Sequence, residues 1–198
     1  MTSVLFNYRP RPVKDESLRG YLLRLTGTNG YKSVCDRLSL LGIRPKMKTL
    51  HPGSKQADEI LSVLAPALNI DHSPLLDSFT NNWVAGIYSP YDRHLSNLCT
   101  EGARLCIECI EDQPYHRAVW DLATTVCCTK HKCFLIDECP HCGHEILWSR
   151  SRIDRCDNCK TLYSSAKSTT LSGDNPIYQA SKRLYNGRKP ELKSLLLA

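Results

Sequence analysis

The chain has 198 residues, a formal net charge of +6, 41% hydrophobic and 8% aromatic residues, and eleven cysteines. This length suits one large domain or two small ones, and so few aromatic residues argue against a single large core. The basic balance fits contact with a polyanion without requiring it, while the lack of a signal stretch or a long apolar run predicts a cytoplasmic protein with no membrane partner.

Residues 1–14 are predicted to form an extended arm. The run Arg9-Pro10-Arg11-Pro12 cannot continue a helix, because each proline fixes its own φ and drives the preceding residue to an extended conformation. Helical periodicity begins at Asp15-Glu16-Ser17, where acidic and capping side chains suit a helix N-terminus. It ends at Asn29-Gly30, a typical stop signal, so the sequence predicts a first helix between these two points.

Further apolar periodicities predict a helical bundle over residues 15–82. A second helix is expected from Tyr31 to Leu41, a third from Ala57 to Leu68, and a short fourth one around Leu75. Short helices joined by tight turns predict a bundle of helix-turn-helix type. Its candidate phosphate contacts are four basic side chains, Arg37, Arg44, Lys46 and Lys48. The competing interpretation is a bundle whose basic connector is merely solvated.

An irregular linker is predicted over residues 83–105, and the strongest signal of the sequence follows it. Between residues 106 and 163 lie four ligand pairs at two-residue spacing, Cys106 with Cys109, Cys128 with His131, Cys139 with Cys142, and Cys156 with Cys159. Such a turn presents two ligands to one metal at the separation that tetrahedral zinc requires. Sequential pairing therefore predicts two structural Zn²⁺ ions per chain. A crossed pairing stays open, as do Cys127 and Cys133 as rivals of Cys128.

Disulfides are the competing explanation for the cysteines. They belong to oxidising compartments, and an odd number of cysteines cannot all pair within one chain, so the spacing favours zinc. The predicted fold class is mainly α with small zinc-bound β-hairpins, in which an N-terminal helix-turn-helix bundle precedes two zinc-ribbon or zinc-finger motifs.

The last part of the chain is basic. A ribbon-type β-hairpin is predicted after Ile146, with a basic edge formed by Arg150, Arg152 and Arg155 as candidate contacts for phosphate or an acidic partner. Residues 164–198 are predicted to be a polar linker and a basic amphipathic tail, where Lys182 and Arg183 are further candidate contacts. The tail either folds only against a partner or stays frayed.

The order of these motifs resembles the TniQ family, the target-selection proteins of bacterial transposons that include the TnsD relatives. The N-terminal resemblance lies in Pro10-x-Pro12, Asp15-Glu16-Ser17-Leu18, Arg24-Leu25 and Asn29-Gly30-Tyr31. The later part lies in Arg104-Leu105-Cys106-x-x-Cys109, Pro114-Tyr115-x-Arg117-x-x-Trp120-x-Leu122, Cys128-x-x-His131, Cys139-Pro140-x-Cys142-Gly143 and Cys156-x-x-Cys159. The resemblance implies a helix-turn-helix domain, two zinc-binding motifs and no catalytic centre.

The resemblance also implies partners. Such proteins are adaptors that bridge a target-recognition complex to the TnsC-type AAA+ ATPase, which recruits the transposase. In CRISPR-associated transposons that complex is the RNA-guided effector with its guide RNA and target DNA, so DNA or RNA contact in the bacterial cytoplasm is expected and a small-molecule substrate is not. Many relatives are longer and carry a further helical domain, and this chain resembles either the short form or an N-terminal fragment.

Two other functions compete with the adaptor. A stand-alone DNA-binding regulator needs only the helix-turn-helix bundle, zinc and positive charge, and tight sequence-dependent binding of the isolated protein to duplex DNA would favour it. A zinc enzyme is disfavoured because a catalytic zinc keeps an open position beside three protein ligands, whereas both predicted sites here close with four. No His-Glu-x-x-His motif occurs either.

Overall fold

The computed structural model describes residues 6–80 and 98–185. Within these ranges the chain is mainly helical, with α1 (Leu18–Thr28), α2 (Val34–Ser39), α3 (Lys55–Leu68), α4 (His72–Thr80), α5 (Ile107–Asp112) and α6 (Pro176–Tyr185). Two short 3₁₀ helices span Ala118–Asp121 and Tyr163–Ser165, and the antiparallel hairpin consists of β1 (Cys127–Cys128) and β2 (Cys133–Phe134). Most of the predicted linker 83–105, the start of the arm and the tail beyond residue 185 lie outside the described residues.

Helix α1 confirms the first predicted helix, and its two ends show why. The hydroxyl Oγ of Ser17 accepts a hydrogen bond from Gly20 N at 2.9 Å and so caps the N-terminus. At the other end Gly30 has a φ of 78°, and the amide of Tyr31 returns to Thr26 O at 3.0 Å. The apolar residues Leu18, Tyr21, Leu22 and Leu25 are fully buried, as their spacing predicts.

Helix α2 is shorter than predicted and begins later. Its N-cap Ser33 is extended, with a φ of −149°, and its hydroxyl accepts from the amides of Cys35 and Asp36. The prediction that the helix begins at Tyr31 is wrong, because that residue completes the turn that closes α1. A capping serine inside an apolar pattern therefore moved the boundary by one turn.

Helices α3 and α4 pack against each other. Pro66 lies within the last turn of α3, where it does not end the helix, and Asn69 then stops it with a left-handed φ of 56°. The described residues include the predicted third and fourth helices. The helix-turn-helix arrangement of the bundle stays a prediction.

One hydrophobic core joins the bundle to the cysteine-rich half. The same cluster of buried side chains contains Tyr21 of α1 together with Ile110, Trp120 and Trp148. The backbones also meet, since the amide of Ser17 donates to His116 O at 2.8 Å and that of Ala118 donates to Asp15 O at 2.8 Å. The predicted domain boundaries stay predictions, but the two halves share their apolar interior.

A cluster of buried polar groups lies where the two halves meet. Arg19 is 0% exposed, and its guanidinium lies 2.9 Å from Asp121 Oδ1, donates to Thr100 O at 2.8 Å and rests over the ring of Trp148. Next to it, His116 is also 0% exposed, with Nδ1 3.0 Å from Ser17 Oγ. Burial, followed by the charges of Arg150 and Arg19, holds the pKa of His116 well below its ordinary value, so the imidazole is neutral.

The segment after the last cysteine folds against its own chain. The amide of Phe134 donates to Thr169 O at 3.1 Å, and that of Leu171 donates to Lys132 O at 2.6 Å, so the segment extends the hairpin along β2. Helix α6 then packs on β1, where Tyr178 buries against Cys127. Up to Tyr185 the tail therefore folds on β1 and not only against a partner, while the division into a polar linker and a basic amphipathic tail stays a prediction. None of the described helices is both long enough and apolar enough to cross a membrane.

Candidate metal centres

Cys106, Cys109, Cys128 and His131 converge on one point, and their donor atoms all lie within 4.8 Å of one another. The imidazole Nδ1 is 3.4, 3.3 and 3.8 Å from the sulfurs of these cysteines in chain order, and the sulfurs of Cys109 and Cys128 are 3.6 Å apart. A tetrahedral zinc shell has edges of about 3.8 Å between sulfurs and about 3.5 Å from sulfur to nitrogen. The donors are therefore spaced like the corners of a metal shell, called here the first centre.

The histidine of the first centre is oriented by a carboxylate. His131 Nδ1 faces the sulfurs, while Nε2 lies 3.1 Å from Asp112 Oδ2 at the end of α5. Histidines that bind metals usually donate their second ring nitrogen to such a group, which fixes the ring and raises its basicity. Lys130 pairs with the same carboxylate and holds it in place.

The second centre consists of Cys139, Cys142, Cys156 and Cys159, whose sulfurs also lie within 4.8 Å of one another. The sulfur pairs Cys139 with Cys159 and Cys142 with Cys156 are each separated by 3.7 Å, again close to the tetrahedral edge. Asn158 donates its backbone amide to Cys156 Sγ at 3.3 Å and its side-chain amide to Cys142 Sγ at 3.6 Å. Both centres contain the residues that sequential pairing predicts, and their role as metal ligands stays a prediction.

The same tight turn recurs at three of the four ligand pairs. The residue after the second ligand has a left-handed φ, which is 52° at Lys132, 69° at Gly143 and 62° at Lys160. Its amide donates to the carbonyl of the first ligand of the pair, at 2.9, 2.8 and 3.1 Å respectively. Of these three left-handed residues only Gly143 could be predicted from the sequence, because glycine is the residue that commonly adopts this conformation. The remaining pair, which is the first in the chain, differs because Cys106 precedes α5 and Cys109 lies on it.

The electrostatics of both centres suit a soft divalent cation. Hydrogen bonds from the side chain and backbone of Thr161 lower the pKa of Cys159 to about 6, and the Asn158 side chain lowers the pKa of Cys142. In the first centre, hydrogen bonding with Cys106 and Cys128, together with burial, raises the pKa of Cys109 far above its ordinary value. Adjacent buried thiols cannot all ionise unaided, and a metal ion supplies the compensating charge.

Glu108 was missed in the sequence although it stands between the first two ligands. Its Oε2 lies 3.3 Å from Cys106 Sγ and 3.4 Å from Cys133 Sγ, and it accepts from Ser168 Oγ at 2.6 Å. The three donors Cys106, Glu108 and Cys133 also lie within 4.8 Å of one another. Asp112 was missed too, although its place one turn after Cys109 on a helix is a readable signal.

The predicted contacts of the bundle lie mostly on an exposed connector. Arg44, Lys46 and Lys48 are exposed, and Gln56 of α3 fixes the connector by bonding to the backbone of the first two at 3.2 and 2.8 Å. Lys48 also pairs with the exposed Glu101 at 3.0 Å. Arg37 lies elsewhere, with its guanidinium 4.0 Å from the centre of the Tyr31 ring.

Arg150 does not lie on an exposed basic edge, so that prediction is wrong. The side chain is 2% exposed, donates to Leu147 O at 2.8 Å and lies 5.5 Å from the Trp148 ring, and burial lowers the pKa of Arg150 to about 10. Among the described residues this region forms only the isolated bridge of Arg155 with Leu162 rather than a ribbon hairpin.

The other basic candidates of this half are at the surface. Arg152 and Arg155 both lie within ion-pair distance of Asp154, at 3.3 and 3.6 Å, and Lys182 and Arg183 are exposed on α6. Their contact with nucleic acid or a partner protein stays a prediction, as it does for the connector.

A family model described as TniQ matches residues 7–135, which is more than half of the chain. The matched range contains α1 to α5, the hairpin and every donor of the first centre, and it ends before the second centre. No curated protein matches the chain.

Proposed function

Because the chain belongs to the TniQ family, we propose that it is a non-catalytic adaptor that bridges a target-recognition complex to the AAA+ ATPase of a transposition system. The family supports a role associated with transposition. The finer proposal is that the recognition complex is an RNA-guided CRISPR effector and that the ATPase is of the TnsC type. The family match over residues 7–135 is the observation that carries this proposal.

The two centres are proposed to hold Zn²⁺ and to act structurally. Each offers four protein donors of the sulfur and imidazole kind, which closes a tetrahedral shell and leaves no position for a substrate. The first centre also lies inside the shared core, where Cys106 and Cys109 are 0% and 1% exposed. Zinc there stabilises the surfaces through which an adaptor acts, and it would not take part in a reaction.

The surface is proposed to be divided between partners. The N-terminal arm and the cysteine-rich half are assigned to the ATPase, and the exposed basic groups are assigned to nucleic acid or the effector. These groups are Arg44, Lys46 and Lys48 of the connector, Arg152 with the partly exposed Arg155 beside it, and Lys182 and Arg183 of α6. Charge reversal of Arg152 and Arg155 should weaken effector or nucleic-acid binding and its salt dependence, and unchanged binding would count against the division.

The test is co-elution in size-exclusion chromatography. The purified protein, assayed for metal, is mixed with the ATP-bound TnsC-type ATPase on DNA, with and without the guide-RNA effector. Two zinc ions per chain and co-elution with the ATPase support the adaptor.

The exposed basic connector favours the second candidate, a stand-alone DNA-binding regulator. Two zinc ions, no co-elution and tight sequence-specific binding to naked DNA would establish that function instead.

A further inference from the structure

We infer that Cys133 is an alternative fourth ligand of the first centre, able to take the coordination position of His131 while the metal stays bound. The inference rests on the proposal that the first centre holds a metal ion, and it is independent of the adaptor role. It concerns a side chain outside the four ligands that spacing predicts.

The register of the hairpin directs Cys133 toward the centre. Cys128 and Cys133 are direct partners across β1 and β2, and Cys127 is the partner of Phe134. Side chains directly opposite each other lie on the same face of a sheet, and successive residues alternate between faces. Cys128 and Cys133 therefore share one face, and Cys127 points to the other, where it packs with Tyr178. The hairpin thus presents two sulfurs to the same side.

Cys133 lies beside the first centre, next to one of its sulfurs. It groups within 4.8 Å with Cys106 and Glu108 but not with all three sulfurs of the centre, so on exchange its side chain must move toward the other two sulfurs. Cys133 Sγ lies 3.4 Å from Cys106 Sγ, and His131 Nδ1 lies 3.4 Å from the same sulfur. The thiol is 0% exposed, whereas the imidazole side chain is 20% exposed. The first centre therefore has three fixed sulfurs and two candidates for the fourth corner, of which the buried one is a thiol and the exposed one an imidazole.

Neighbouring carboxylates favour the histidine in the resting arrangement. Glu108 Oε2, which accepts from Ser168 Oγ, also accepts a hydrogen bond from Cys133 Sγ at 3.4 Å and so holds that side chain beside the carboxylate. Asp112 supports the imidazole on the opposite side. On exchange the metal–nitrogen bond to His131 breaks, a metal–sulfur bond to Cys133 forms, and the thiol proton passes to water.

The experiment uses the full chain loaded with ¹¹³Cd²⁺, which occupies the same sulfur and nitrogen sites as zinc and whose NMR shift moves downfield with each added sulfur ligand. The wild-type protein should give two resonances, one for three sulfurs and one nitrogen and one for four sulfurs. His131→Ala should keep two cadmium ions per chain in native mass spectrometry, and its first resonance should move into the four-sulfur range. His131→Ala with Cys133→Ser should lose one ion.

Two control variants match the changes in residue type. Cys127→Ser removes the buried thiol on the opposite face of the hairpin, and His141→Ala removes an exposed histidine beside the second centre whose Nε2 is 3.0 Å from Ser165 Oγ. Combined with His131→Ala, Cys127→Ser should leave two ions bound, and His141→Ala alone should leave both resonances in place. His131→Gln, which keeps more of the side-chain volume, repeats the test should the alanine variant unfold.

Three results would overturn the inference. They are loss of one ion from His131→Ala with Cys133 intact, unfolding of both histidine variants in the presence of metal, and a wild-type first resonance that already reports four sulfurs and moves in Cys133→Ser. A wild-type protein that binds no cadmium would instead refute the proposed metal centre itself, and so the two failures are distinguishable.

Discussion

Arg19 and Asp121 form an ion pair of 2.9 Å in which the arginine side chain is 0% exposed. The arginine lies on α1, and the aspartate ends the 3₁₀ helix between the ligand pairs of the first centre. Burial raises the pKa of Asp121 and the arginine opposes that shift, so each charge is tolerated only because the other is present. The pair joins the helical bundle to the cysteine-rich half.

Arg19→Met should therefore destabilise the protein by about 3–5 kcal/mol, because it leaves a buried carboxylate without its partner. The measurement is urea unfolding of the metal-loaded protein. Lys48→Met is the control, since Lys48 and Glu101 pair with side chains 70% and 75% exposed, and an ion pair so exposed to water contributes little to stability. Equal effects of the two substitutions would contradict a special role for the buried pair.

Gly20→Ala should destabilise the protein by about 1–3 kcal/mol, although alanine is the better helix former by about 1 kcal/mol. A Cβ at this position would lie 2.5 Å from His116 Cβ and 3.1 Å from the His116 carbonyl oxygen, so α1 would be pushed away from the cysteine-rich half. Gly173→Ala, where nothing lies within 4 Å, should be close to neutral. The melting temperatures of both variants decide the matter, and a stabilised Gly20→Ala would show that the two halves are not in tight contact.

The stability of the protein should fall in mild acid partly because of His116. The group is buried and neutral, with a pKa below the unfolded value of about 6.5, so only the unfolded state takes up a proton below that pH. Its contribution is fully present above about pH 6.5 and is lost at up to about 1.4 kcal/mol per pH unit as the pH falls toward the folded pKa.

The pH effect is read from the difference between two proteins. Wild type and His116→Phe are unfolded with urea at about pH 7.5 and about pH 5.5, so that protonation of the metal ligands is common to both. The variant should show the smaller loss on acidification. Identical losses would mean that His116 is protonated in the folded protein.

Asp112→Asn should weaken metal binding at the first centre by about 10- to 100-fold, because the carboxylate orients His131 and raises its basicity. Competition with a chelator of known affinity measures the change. Glu111→Gln changes the adjacent exposed carboxylate, which contacts no ligand in the described part of the chain, and should leave the affinity unaltered. A loss in both variants would point to a general charge effect.

Replacing one ligand of the second centre should remove one metal ion and abolish the recruitment of partners. Cys139→Ser should bind one metal ion per chain where the wild type binds two, and it should lose recruitment of partners, since a structural zinc contributes about 10 kcal/mol or more of apparent binding free energy. Cys35→Ser, at an exposed cysteine of α2, serves as the control. Full recruitment by a Cys139→Ser protein that remains folded would refute the structural role.

Local signals were enough to predict α1 and the grouping of the candidate ligands. Ser17 with its capping side chain and Asn29-Gly30 with its stop signal directly flank α1, and two-residue spacing defines each pair of donors. These features depend on neighbours in the chain. For that reason they are readable without knowledge of the fold.

The contacts between the two halves were not readable, because their partners lie about a hundred positions apart in the chain. Arg19 occupies a polar place in the helical pattern, and nothing near it indicates burial beside Asp121. Arg150 gave the opposite error, since an arginine after an apolar run is usually exposed. Burial of such a cation beside Trp148 is decided by packing from distant segments, which periodicity does not encode.

The two faces of the β1–β2 hairpin contact different parts of the protein. One face holds Cys128 of the first centre, and the other holds Cys127 against Tyr178 of α6. Since each strand is only two residues long, a displacement of α6 would be transmitted through this short hairpin to the donor atoms of the first centre. A version of the protein truncated before Pro176 would expose the Cys127 face of the hairpin. The metal content of such a truncated protein would then depend on whether α6 is present as well as on the ligands themselves.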